Sequence, residues 1–277
     1  MEKKIKFYNE RVYLEEQNQD AINRIMALKE SAIRNSEEDQ EKYSLLISTY
    51  KKIISLIISL IKELKIENNF LLYAKVIEEL LFNGYFSSNN NFKIDDNCYF
   101  KLRNNLAISI INGSGRCENI ASFANDILPQ FVSTDIFVGF SSSIKSKKWA
   151  ENHQANHIIN IGEYNHVLYG YDIKNRCLYQ LINESQLRQI ANFNVSYMTY
   201  KPYFEIIHYG KTEDEIKDKI CYFKEHANDK ALSYDDLCDL LNPVKGILKD
   251  NSSLLDYYSK ELEPLKGKVK ELTKKIK

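Results

Sequence analysis

The chain has 277 residues, of which 38 are basic and 38 acidic, so its formal net charge is zero. That balance removes the global electrostatic case for nucleic acid or an anionic membrane as a partner. Nine glycines, four prolines and 44% hydrophobic residues exclude a fibrous or disordered chain. They predict a helix-rich globular protein, one domain with additions or two.

Met1–Lys6 runs straight into mixed charge with no apolar stretch behind it, which predicts no secretory signal. The cysteines (98, 117, 177, 221 and 238) are odd in number and lack C-x-x-C spacing. Neither a disulfide framework nor a zinc site is expected, and the chain reads as cytoplasmic, without metal or cofactor. Val12, Ile22, Ile25, Met26 and Ile33 mark a first helix within residues 10–34, and Ser36 with Asp39 caps a second. From Tyr43 the set Leu46, Ile47, Tyr50, Ile54, Ile57, Ile61 and Leu64 keeps helical spacing. Lys51-Lys52 and Lys62-Glu63 bracket its most apolar run, Ile53–Ile61, well short of the roughly 20 residues a membrane span needs. A third helix starts at Asn69, carries Leu72, Val76 and Leu80, and stops near Asn83-Gly84. Residues 1–86 therefore form an N-terminal helical region, a scaffold for the rest and a candidate surface for a protein partner. The polar stretch 87–97 reads as a loop and a seam.

Gly113-Ser114-Gly115-Arg116-Cys117-Glu118-Asn119 comes next. Two glycines within three residues make a tight turn. Behind it Ile120, Phe123, Ala124, Ile127 and Leu128 lie on one helical face. Cys117 thus opens a buried helix, where unpaired N–H groups and the macrodipole favour a thiolate. Asp135–Phe140 reads as a strand. Ser141–His153 is a basic loop holding the single tryptophan, Trp149, at the border of any groove near the histidines that follow.

Residues 156–161 and 165–171 read as strands joined by a turn around Gly162-Glu163-Tyr164. A turn centred on Glu163-Tyr164 sets His157 opposite Gly170 and diagonal to Asp172, about 7–8 Å apart on one face. A cysteine at a helix start with a histidine and an aspartate on adjacent strands is the set of parts that activates a thiol. His166 is expected on the strand of Asp172 but about 20 Å along it. His153 precedes the strand and could approach only by loop folding, and His208 and His226 fall in a region without helpful partners, so geometry favours His157 as the base.

Gly113-x-Gly115-x-Cys117, Asn156-His157 and Tyr171-Asp172, in that order, resemble the transglutaminase-like superfamily within the papain-like cysteine fold. The resemblance covers about residues 100–205. It implies an α+β fold in which the nucleophile helix packs on an antiparallel sheet, here flanked by N- and C-terminal helical regions. It further implies Cys117 as nucleophile, His157 as general base and acid, and Asp172 as the residue orienting the imidazole. The second oxyanion donor of such a site comes from an upstream side chain, with Asn112 and Asn105 as candidates, and Trp149 is a candidate substrate contact.

Beyond Asp172, a turn at Lys174-Asn175 leads to a strand from Cys177, with further strands at Ser196–Tyr200 and Phe204–Tyr209. The catalytic core is thus expected over 87–210 and a C-terminal helical region over 211–277. Thr212 with Glu215 caps a helix, and Ser233–Leu241 and Ser253–Tyr258 open two more. Pro264 and Gly267 are expected to interrupt the last one. Leu265, Val269, Leu272 and Ile276 form a stripe suited to packing back on the N-terminal helices. The expected activity is cysteine-dependent acyl transfer, hydrolysing an amide bond of a protein or peptide substrate. Transamidation or deamidation, arylamine-type N-acetylation, and a binding module that has lost catalysis are the alternatives.

Overall fold

The computed structural model describes residues 4–5, 37–86, 93–94, 106–139, 157–183, 186–192, 206–207 and 232–275. The expected helices at 10–34 and from Thr212, the Ser36 cap, the Trp149 loop and the strand at Ser196–Tyr200 lie outside them. Within them the chain is α+β. Its sheet has five antiparallel strands in sequence order: β4 (Thr134–Gly139), β5 (His157–Tyr164), β6 (Val167–Asp172), β7 (Cys177–Asn183) and β8 (Gln186–Asn192). Two short pairings flank it. β1 (Lys4–Ile5) runs antiparallel to β9 (Ile206–Ile207), and β2 (Lys93–Ile94) runs parallel to β3 (Ser114–Gly115). The polar stretch 87–97 therefore contains a strand residue pair rather than loop alone, and Phe204–Tyr209 contributes only two strand residues.

Helix α1 (Glu37–Glu63) buries Leu46, Tyr50, Ile53, Ile57, Leu60 and, just past its end, Leu64. Their alternating spacing of three and four residues is the seam of a helix pair. Its partner is α7 (Ser252–Lys275), which buries Tyr258, Leu262, Val269 and Leu272 and lies antiparallel to it. Lys42 Nζ at one end of the pair donates to Lys275 O at 3.0 Å, and Tyr258 Oη at the other donates to Glu63. Ser44–Glu63 is long and apolar enough to cross a membrane; in this fold its buried stripe lies against α7. Helix α7 runs without a break through Pro264 and Gly267, contrary to the expected interruption. The missing proline N–H is offset by the apolar stripe that continues past it on α1.

Helix α2 (Phe70–Phe82) is buried on nearly every side, as an all-round apolar helix must be. Asn69 caps it by accepting from Leu71 N at 2.9 Å, and Asn83 and Gly84 (φ 75°) end it. It touches the sheet at β5 and β6, and on its other side α5 (Tyr234–Leu241) and α6 (Pro243–Asp250). Ser233 and Asp236 cap α5 reciprocally, as their spacing predicts. Two further helices, α3 (Leu106–Asn112) and α4 (Cys117–Ile127), precede β4. One apolar cluster, from Leu46 through Phe123 and Tyr169 to Leu272, joins all these helices to the sheet.

The β5–β6 hairpin differs from expectation in its register. Its turn is Asn165-His166, both at positive φ (50° and 62°), the two-residue form that matches strand twist. Gly162 lies inside β5 instead. A Cβ there would sit 2.4 Å from the Phe70 ring, so this glycine serves a close approach of α2 to the sheet. Ile161, not His157, is opposite Gly170, and His166 occupies the turn, with Nδ1 3.3 Å from Glu163 Oε1.

Candidate functional site

The turn into α4 is built from the residues its sequence suggests. Gly113 at φ 74° ends α3, its N–H bonded to Ile110 O at 3.1 Å. Ser114-Gly115 pairs with Lys93-Ile94, Arg116 is extended, and Cys117 is the first residue of α4. Asn119 Oδ1 reaches back to accept from Arg116 N at 2.9 Å, while its Nδ2 donates to Ser109 Oγ at 3.2 Å. One side chain thus closes the first turn of α4 and ties it to α3. Sequence reading passed over Asn119, although a polar residue three places past a helix cap is a recognisable signal.

Cys117 is buried, 5% exposed, and its Sγ donates to Glu118 Oε2 at 3.6 Å. That oxygen also lies 3.6 Å from Arg116 Nε, so a buried carboxylate adjoins the thiol and is partly balanced by a guanidinium. Ile120, Phe123, Ala124, Ile127 and Leu128 are all buried, the face their spacing predicts.

Helix α4 lies along β5. Asn160 Nδ2 donates to Ala121 O at 3.1 Å. The residues after α4 lead into β4, whose Thr134 pairs with Gly162 near the end of β5. Helix and strand therefore run the same way. Cys117 is one turn (about 6 Å) back from Ala121, and His157 is about 10 Å back from Asn160 along β5. The thiol end of α4 and the His157 end of β5 thus lie at the same edge of the sheet.

His157 opens β5, paired with Gly139. The register Asn160↔Tyr171, carried one pair further, sets Ile159 beside Asp172 and position 157 diagonal to it on the same face. Shared parity survives the shift because the register moved by an even number of residues. Asn160 and Tyr171 occupy the face toward the helices, since Asn160 meets α4 and Tyr171 Oη donates to Glu78 of α2 at 2.8 Å. Alternation places positions 157, 159 and 172 on the other face. Asp172 is buried and holds its own turn: Oδ1 accepts from Asn175 N at 3.1 Å and Oδ2 from Asn175 Nδ2 at 2.7 Å. Its cross-strand neighbour Cys177 is pushed up to about 12, chiefly by burial and then by the Asp172 charge.

Asn112 ends α3 half-buried, directly before Gly113. Asn105, Trp149, His153, His208 and His226 fall outside the described residues. Among the described residues no three His, Cys, Asp or Glu side chains are placed to hold a metal ion. No family model, curated protein or solved structure matches the chain.

Proposed function

We propose that this chain is a cysteine-dependent acyl-transfer enzyme of transglutaminase-like type, hydrolysing an amide bond of a protein or peptide through a Cys117 thioester. The observation that supports it is the alignment of α4 on β5, which brings the helix end carrying Cys117 and the strand end carrying His157 to one edge of the sheet; position 157 takes the face away from α4, so this reading requires the imidazole to reach the thiol around that edge. In this reading His157 takes the thiol proton and the sulfur attacks the amide carbonyl. The Cys117 backbone N–H and a second donor, with Asn112 adjacent, hold the oxyanion. The C–N bond then breaks as His157 returns the proton to the leaving amine, and water, deprotonated by His157, cleaves the thioester. Asp172 would orient the imidazole.

A second reading is a binding module that keeps this architecture without catalysis. The engagement of both Asp172 oxygens by Asn175, on the sheet face away from α4, favours it. Iodoacetamide alkylation followed by mass spectrometry separates the two. Cys117 and Cys177 are almost equally buried, 5% and 4% exposed, so their relative rates report reactivity rather than access. Because Cys177 is itself pushed up to about 12, the deciding comparison is within Cys117: the enzyme reading requires its neutral-pH rate to fall steeply in His157→Ala. Equal rates in the two proteins refute it and leave the binding module.

A further inference from the structure

On the helix-covered face of the sheet, between α2 and β6, lies a cluster of buried charge that the proposed reaction does not use. Glu78 on α2 is fully buried, and Lys75 and Glu79 on the same helix are each 5% exposed. Lys75 Nζ lies 2.5 Å from Glu78 Oε1 and 2.8 Å from Glu79 Oε1, so one ammonium serves two carboxylates. From β6, Tyr171 Oη donates to Glu78 Oε2. From the β6–β7 turn, Arg176 (φ 50°) holds its Nε 3.9 Å from Glu78 Oε1 and stacks its guanidinium 4.3 Å over the Phe82 ring. Lys245 of α6 approaches Glu79 at 3.9 Å, and Cys177 of β7 lies within the electrostatic reach of Glu78.

We propose that Glu78 is the proton-sensing element of a latch between α2 and the β6–β7 turn, with Arg176 as its moving part. Burial, and the sharing of its lysine with Glu79, both work against ionisation of Glu78. Protonated, Glu78 keeps the neutral Tyr171 hydrogen bond and leaves Arg176 over Phe82. Ionised, with its proton released to solvent, it draws Arg176 from 3.9 Å into a direct ion pair and pulls the turn toward α2. The inference is independent of the acyl-transfer reading.

Burial raises the Glu78 carboxyl above its ordinary range, against the opposing pull of Lys75, Tyr171 and Arg176. The folded state thus holds this proton more firmly than the unfolded chain does. The stability it contributes is present in acid and lost as pH rises through the raised value. Glu79 acts in the opposite sense: burial raises it, but Lys75 and the groups around it bring the net below the ordinary range. Its contribution is lost on acidification. The two carboxylates bound a window from its two sides.

The test is a pH titration of the full chain by NMR, following the Glu78 side-chain carboxyl carbon and the Arg176 Nε–H, beside urea unfolding of the wild type and Glu78→Gln from about pH 5 to about pH 8. The expected result is a Glu78 midpoint above the ordinary value of about 4.3, an Arg176 resonance that shifts with the same midpoint, and its flattening in the variant. The urea midpoint of the wild type falls relative to Glu78→Gln as pH rises. A Glu78 midpoint at or below the ordinary value, or an Arg176 resonance that ignores it, overturns the latch. The wild-type titration decides the matter even where the variant does not fold.

Discussion

Replacing Gly162 by alanine tests the contact that fixes how close α2 lies to the sheet. The new Cβ would stand 2.4 Å from both Cγ and Cδ2 of Phe70 and 2.8 Å from Cε2. Ordinary contact needs about 1 Å more than the shortest of these, and Phe70 is 1% exposed with its ring root, not a flexible tip, in the way. The helix must therefore back off the sheet, an overpacking cost of about 2–3 kcal/mol. The gain in strand propensity on losing glycine, about 1 kcal/mol at most, leaves a net loss of about 2 kcal/mol. Urea unfolding of Gly162→Ala, Phe70→Leu and the double variant measures this directly. The smaller leucine makes room, so the alanine should cost much less in its presence, with a coupling of about 1 kcal/mol or more. Additive losses, or a Gly162→Ala change within about 0.5 kcal/mol of zero, refute the close-approach account.

Asn69→Ala removes the acceptor that caps α2 and should lower stability by about 1 kcal/mol. Asn69→Ser should lose less, because it keeps an oxygen for Leu71 N and discards the buried amide Nδ2, which has no partner among the described residues; thermal unfolding of both variants checks the order. Cys177, pushed up to about 12 by burial and by Asp172, should resist iodoacetamide throughout the neutral range. In Asp172→Asn its alkylation should begin at lower pH, since the opposing charge is gone, and an unchanged profile assigns the shift to burial alone.

How much of this was legible varies with the cause of each element. Helix α4 could be read in full, because the Gly113-x-Gly115 turn and the Ile120-to-Leu128 stripe state the same boundary twice. The hairpin turn could not. Gly162 looks like a turn residue by local preference, yet its reason is the Phe70 ring, some ninety residues upstream. The residues that do turn, Asn165-His166, lack the glycine that ordinarily marks a two-residue hairpin turn. Pro264 is a stop signal in isolation, and only the long contact with α1 overrides it. Strand β8, Gln186–Asn192, has little apolar alternation of its own and takes its form from pairing with β7. At the site, the α4 half was visible in Cys117 and its turn. The burial of Glu118, Glu78 and Lys75 was not, because charges on a helix are read as facing water until neighbouring elements are seen to enclose them.

The antiparallel pairing of α1 with α7 also sets an order in time. Lys42 meets Lys275, 233 positions later in the chain. At the usual pace of synthesis, roughly 5–20 residues per second, that interval is on the order of 10–50 s. Through all of it each nascent chain presents α1, a helix apolar enough for a bilayer, without the element that covers its seam. A stretch that ends inside the finished core is thus, on the ribosome, in need of a chaperone's shelter.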